Sequence, residues 1–195
     1  MTRPWPVSYF CAMTSRSAAV SIRGVRPGEV GRLQAIQLAA GDAFRDVGMS
    51  SVAESPPLPA ESLSGYREAG RAWVAVDDHD DPVGFVVADV LDGAVHIEQV
   101  SVHPAHARQR IGAMLLDHVA GWAARRGLPA LTLITFRGVP WNAPYYERLG
   151  FRELAAPEVT PGLAARRAGS PGADGDGCAR VCMRRDLTAD GPPGT

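Results

Sequence analysis

The chain has 195 residues, enough for one domain whose core needs no disulfide support. Twenty basic against twenty-one acidic residues leave a formal charge of −1, with 46% hydrophobic and 21% charged residues. That balance argues against a broad nucleic-acid face, which needs a basic surplus, and against a disordered chain.

Every basic residue is Arg, so the only primary amine on the chain is its N-terminus. Cys11, Cys178 and Cys182 are too few and too scattered for a disulfide framework. The spacing of Cys178 and Cys182 matches neither a redox motif nor a zinc site, and they read as small core residues. Such sparing cysteine use suits a reducing cytoplasm. Residues 1–18 mix Pro, Ser and Arg without a long apolar run. They read as a disordered leader, with Met13 an alternative start, and neither a signal peptide nor a membrane partner is expected.

Residues 20–25 alternate as a short strand, closed by Pro27 and Gly28. Val30, Leu33, Ile36, Ala40 and Phe44 recur at helical spacing, predicting a helix over 29–44. A turn-rich crossing, 48–59, holds Pro56-Pro57, and a second helix is expected over 60–69. Strands follow at 71–76, 83–91 and 94–102, with an acidic hairpin tip at 77–81 and a tight turn at Asp92-Gly93. This is an antiparallel meander.

After Pro104 the period changes. Ile111, Met114, Leu115, Val119 and Trp122 mark one face of a helix that ends near Arg125-Arg126-Gly127. Residues 130–136 form an apolar β-branched strand, 140–149 a short helix, and 151–154 a further strand. The stretch 155–177 is rich in Pro, Gly, Ala and Arg and reads as a flexible excursion. A last strand is expected over 179–187, and 188–195 as a disordered tail. The domain is therefore 19–187, of α/β (α+β) class: a mixed, mostly antiparallel sheet of six or seven strands with helices on both faces.

Chemistry concentrates in two stretches. In the first, the strand 97–102 turns through His103-Pro104-Ala105-His106 into Ala107-Arg108-Gln109-Arg110-Ile111-Gly112-Ala113 and a helix. A strand, a tight turn and a helix start aim successive backbone N–H groups outward, as an anion cradle does. Arg108 and Arg110 add charge, and Gly112 permits close approach of a ligand. An ordinary helix start is the alternative. The loop is neither a Walker P-loop nor a GxGxxG fingerprint. The second stretch is Pro140-Trp141-Asn142-Ala143-Pro144-Tyr145-Tyr146-Glu147-Arg148-Leu149-Gly150-Phe151.

Together these stretches resemble the GNAT superfamily of acyl-CoA-dependent N-acyltransferases. Ile111-Gly112-Ala113-Met114-Leu115-Leu116 is similar to the end of that family's pyrophosphate loop and the helix after it. Asn142, Tyr146 and Leu149-Gly150-Phe151 are similar to its Asn-x-x-x-Tyr…Leu-Gly-Phe signature. The likeness covers about residues 20–187 in element order. Arg110 departs from the pattern, since the family most often has Gly there, and an Arg is strained if that position requires φ > 0. Ala107 stands where Gln or Arg is common.

The resemblance implies acetyl-CoA (coenzyme A) as cosubstrate and an unidentified primary amine, on a small molecule or a protein, as acceptor. It implies a cofactor site formed by Val100, Ser101, Val102, Ala107, Arg108, Gln109, Arg110, Ile111, Gly112, Ala113, Asn142 and Tyr146. Glu98 is expected as the base, with an ion pair to an Arg as its alternative role and His96 as the alternative base. Tyr146 is expected as the acid, or else as a core aromatic. The Val102 N–H is the expected donor to the thioester oxygen, and Asn142 either bonds the cofactor arm or caps a helix. Strict alternation along 94–102 would put His96, Glu98, Val100 and Val102 on one face. The acceptor side is expected near Phe44, Arg45, Asp46, Met49 and Tyr66. Asp42, Asp46 and Glu54 only suggest a polyamine pocket.

His103 and His106 lack a third ligand, and 77–81 lacks a calcium-loop pattern, so no metal is expected. A non-catalytic acyl-CoA sensor or interaction module of the same fold is the rival reading. A homodimer is compatible with either.

Overall fold

The structure, a computed structural model, describes residues 20–169 and 178–187. The expected leader and tail, Cys11, and residues 170–177 of the expected excursion lie outside the described residues.

In chain order the elements are β1 (Ser21–Gly24), α1 (Val30–Gly41), a 3-10 turn (Asp42–Val47), α2 (Ser50–Ala53), α3 (Ala60–Glu68), β2 (Ala72–Val76), β3 (Pro82–Leu91) and β4 (Ala94–Val102). There follow α4 (Ile111–Ala124), β5 (Ala130–Phe136), α5 (Ala143–Glu147), β6 (Arg152–Glu153), α6 (Pro161–Ala168) and β7 (Arg180–Asp186). The first helix ends earlier than its apolar spacing implies, because the chain tightens into 3-10 geometry before Gly48, at φ 76°. Within the expected excursion, α6 is a formed helix with Leu163 buried.

Seven strands make one sheet in the order β1-β2-β3-β4-β5-β7-β6. Asp92 and Gly93 both adopt positive φ, at 50° and 77°, so the β3–β4 hairpin turns on two left-handed residues. All pairings are antiparallel except β4 with β5. That parallel pair is short: it joins Val95, His96 and Ile97 to Leu131, Thr132 and Leu133. Beyond it β4 runs to Val102 and β5 to Phe136 unpaired with each other, which opens a wedge-shaped gap in mid-sheet.

Hydrophobic burial fixes what covers each face. On one face α4 packs Ile111, Leu115, Leu116 and Val119 against Val86, Val95, Ile97, Leu131, Leu133 and Met183. On the other, α1 and α3 supply Leu33, Ile36 and Leu63 against Val74, Phe85 and Val87. There α6 adds Leu163 against Leu154 and Cys182. The mouth of the gap on this second face is edged by Phe44, Phe136 and Trp141, whose rings pack edge-on at 5.8 Å.

Alternation along β4 is broken by a bulge. Val87 faces Gln99 and Ala88 faces Ile97, so Glu98 is the extra residue. Ile97, Val100 and Val102 therefore all turn toward the α4 side, against the strict alternation expected. Glu98 and His96 turn the opposite way. The extra residue is what lets one strand aim a carboxylate at one face and apolar side chains at the other within three positions.

Candidate active site

The cradle is best read amide by amide. His106 N–H donates to His103 O at 2.8 Å, and Ala107 N–H to Pro104 O at 3.1 Å, closing a 3-10 turn. The Ala107 amide is therefore taken by the turn. From Arg108 to Ala113 no backbone N–H has an acceptor among the described residues, and the next bonded amide is Met114, to Arg110 O at 3.0 Å. Six consecutive donors thus stand open at the start of a 14-residue helix. The helix dipole adds positive potential at the same end. The donor set fits a diphosphate.

Arg108 and Arg110 both take left-handed backbone, φ 62° and 61°. This conformation costs a non-Gly residue roughly 1–2 kcal/mol. It rotates the amides of the loop outward, and the sheet and α4 on either side hold it in place. Arg110 is thus strained in the way its departure from the family pattern implies. Gly112 lies against Tyr145. A Cβ there would meet the Tyr145 hydroxyl at 2.9 Å, so the missing side chain accommodates Tyr145. Tyr145 is the aromatic laid across the first turn of α4. Burial pushes its hydroxyl up, and the Arg110 charge opposes that shift. The pairing of a small residue in the loop with an aromatic on α5 was its only sequence signal.

The gap itself has a readable hydrogen-bond pattern. His103 N–H donates to Val83 O at 2.8 Å. In an antiparallel ladder bonded and non-bonded pairs alternate, so Ser101 bonds toward its partner Phe85 on β3. The backbone groups of Val100 and Val102 then point away from β3, into the gap. Ser101 is buried and its hydroxyl accepts from the Gln99 side chain at 2.8 Å. Of the three β4 residues expected at the cofactor arm, the register thus points the backbone of Val100 and Val102 into the gap and that of Ser101 toward β3.

Asn142 occupies the N-cap position of α5 but makes no side-chain cap. Its carbonyl accepts from Tyr145 and Tyr146 N–H at 2.9 and 3.0 Å, and its side chain is left for other partners. Tyr146 packs its ring between Tyr145 and Phe151, with centroids 5.5 and 5.7 Å away, against the core on the α4 face. Burial holds its phenol protonated far above neutral pH.

Across the sheet, on the other face, Glu98 lies in a polar network. Arg166 of α6 bonds both Glu98 and, at 3.2 Å, Asp89 of β3; Arg71, just ahead of β2, also bonds Asp89. Glu98 keeps only 16% of its side chain exposed. His96 is buried beside it, its Nδ1 3.1 Å from the Thr132 hydroxyl. Burial, reinforced by the Arg166 charge, pushes His96 down to about 4, so it is neutral near pH 7. Asp89, Arg71 and Arg166 escaped the sequence reading. Asp89 and Arg166 stand 77 residues apart, and nothing local signals such a contact.

Other sequence expectations resolve more simply. Arg45 pairs with Asp42 and Glu54, and Met49 is buried with Phe136 and Val139. Trp73 packs on Trp122 and His118. Asp77 caps its hairpin by accepting from His79 and Asp81 N–H at 3.0 Å, while Asp80 pairs with Arg23 and Arg26. Among the described residues no three His, Cys, Asp or Glu side chains are grouped to hold a metal, and no helix is long and apolar enough to cross a membrane.

A splayed sheet with an open-amide helix start at the gap defines an acetyltransferase fold. The model of the acetyltransferase (GNAT) family matches residues 39–151, more than half the chain, and the chain belongs to that family. It is 31% identical over 99 residues to the peptidyl-lysine N-acetyltransferase YjaB of Salmonella typhimurium, an alignment spanning 51% of this chain and 62% of that relative's length. In fold it is similar to the ribosomal-protein-S18-alanine N-acetyltransferase of Escherichia coli, with a TM-score of 0.63 and 18% identity over 91% of this chain and 99% of that one. The PaiA N-acetyltransferase of Thermoplasma acidophilum, solved with coenzyme A, matches with a TM-score of 0.62 and 15% identity over 86% of this chain and 99% of that one.

Proposed function

We propose that the protein is an N-acetyltransferase that moves the acetyl group of acetyl-CoA directly to a primary amine. The observation that carries this reading is the run of six open amides from Arg108 to Ala113 at the head of the gap. Those amides would hold the diphosphate, Val100 and Val102 the pantetheine arm, and Asn142 and Tyr146 its far side. Bound acetyl-CoA supplies an activated acyl group and a thiol leaving group.

The protein's own residues manage the protons. An acceptor arrives as an ammonium and must become a neutral amine before it can form a C–N bond. Glu98 takes that proton, through a water, from the second face of the sheet. The Val102 N–H donates to the acyl oxygen as negative charge grows there. Tyr146, on the α4 face, donates its phenolic proton to sulfur as the C–S bond breaks, and the second proton that the nitrogen sheds on becoming an amide restores the phenol. Acid and base thus flank the gap from opposite faces of the sheet.

Direct transfer is favoured over an acyl-cysteine route. Cys182 is buried and burial pushes its thiol up, which leaves it a weak nucleophile. On the acceptor side Asp89 and Glu98 face Arg71 and Arg166, while Asp42 and Glu54 share the single Arg45. Because its relative acts on peptidyl-lysine, a lysine-containing peptide is the first acceptor to try. A cytoplasmic location belongs to the same reading, supported by the sparing use of Cys. So does a homodimer through β1, the edge strand of the sheet among the described residues, which light scattering decides.

Thiol release from acetyl-CoA, followed against lysine peptide, N-terminal alanine peptide and spermidine, tests the reading. Release that requires one of the two peptides is expected. Tight CoA binding with no amine-dependent release on any acceptor would point to a sensor instead.

A further inference from the structure

Helix α6 lies outside the residues matched by the family model, 39–151, yet it delivers a side chain to the expected base. The helix is anchored at both ends of its buried face. Asp92 Oδ2, in the β3–β4 turn, accepts from Gly162 N–H at 2.8 Å in its first turn. Leu163 is buried against Leu154 and Cys182, and Arg166 follows three residues later on the same face. Its guanidinium spans two strands, bonding Glu98 at the β4 bulge and Asp89 on β3. Arg166 itself keeps 38% of its side chain exposed, so it reaches the mouth of the gap from the solvent side.

We propose that Arg166 is a positioning residue for acetyl transfer, clamping the Glu98 carboxylate in one orientation at the mouth of the gap. The inference rests on Glu98 being the base. A bulge residue lacks the ladder contacts that fix its neighbours, and a bidentate-capable guanidinium supplies the missing constraint. The remaining charged and titratable groups around Glu98 are Asp89 on β3, His96 on β4, Arg71 ahead of β2 and Tyr66 on α3. His96 and Tyr66 are uncharged near neutral pH, the first pushed down and the second up by burial. With Arg166 present, two cations face two carboxylates. Without it, Arg71 alone faces both, and it is already bonded to Asp89. Repulsion between the carboxylates then favours protonated Glu98, and the acid limb of kcat/KM moves to higher pH.

The test uses the full chain as wild type, Arg166→Ala, Arg166→Lys and Glu98→Gln, labelled with 13C at the glutamate carboxyls. Glu98 is titrated by NMR, and thiol release with lysine peptide gives the pH profile. The Glu98 midpoint is expected to rise by roughly one unit or more in Arg166→Ala. Arg166→Lys should restore most of that shift, and the acid limb should follow the midpoint. An unchanged midpoint, even with a lowered melting temperature, assigns Arg166 a merely structural role and overturns the proposal. If that result accompanies an inactive Glu98→Gln, the base assignment survives alone. If instead Glu98→Gln keeps the wild-type rate, the base assignment fails, and the positioning role falls with it.

Discussion

Replacing Glu98 by Gln is expected to lower kcat by about 10²–10⁴-fold, the usual share of a positioned general base, while the dissociation constant for CoA stays put. The amide has nearly the shape of the carboxylate and still accepts from Arg166, so the network with Asp89 is disturbed little. What is lost is the ability to take a proton. CoA affinity should hold because the open amides of Arg108 to Ala113 belong to the α4 end, whereas Glu98 turns to the opposite face. His96 is not positioned to take over, since it is buried and bonded to Thr132. Single-turnover rates with saturating acetyl-CoA make the comparison. A Gln variant within twofold of wild type would remove Glu98 from the chemistry.

Changing Tyr146 to Phe is expected to cost kcat about 10²-fold, at the lower end of acid catalysis, with folding stability nearly unchanged. The ring does the packing, between Tyr145 and Phe151, and Phe keeps it. The substitution removes only the hydroxyl and leaves that ring packing in place. Burial keeps the phenol protonated across the working pH range, which is the state an acid must hold. The measurement is kcat beside a thermal unfolding curve. Equal rates with equal stability would assign the hydroxyl no role. A large fall in melting temperature would show that the substitution disturbs packing instead.

Much of the fold could be read from the sequence because local signals and burial agree. The antiparallel meander announces itself by apolar runs separated by an acidic tip and by Asp92-Gly93, and β2 to β4 fall there. The change to helical spacing after Pro104 locates α4, since Ile111, Leu115 and Val119 share its buried face. Helix α6 escaped because Leu163 is its only buried residue, too few to give a period, in a stretch whose Gly and Pro read as loop. The bulge at Glu98 escaped for a different reason. An inserted residue leaves the sequence of a strand looking regular, and only the partner strand shows that Val87 and Ala88 face Gln99 and Ile97. That one residue decides that Ser101 turns inward while Val100 and Val102 face the gap.

The candidate site was legible where the chemistry is backbone chemistry. A strand, a turn and a helix start suffice to predict exposed amides, and even the positive φ of Arg110 follows from its place in the loop. Side-chain chemistry across the sheet was not legible, since Arg71, Asp89 and Arg166 come together only through the register of β2 to β4 and the docking of α6. The sequence therefore locates the cofactor end better than the acceptor end.

Amide NMR shifts give the most direct test of the cradle. The 15N-labelled protein is titrated with CoA and, separately, with pantetheine, which lacks the diphosphate. With CoA the resonances of Arg108 to Ala113 should move together and saturate, while pantetheine should move Val100 and Val102 and leave the loop still. Loop amides that stay still as CoA binds elsewhere would contradict the account.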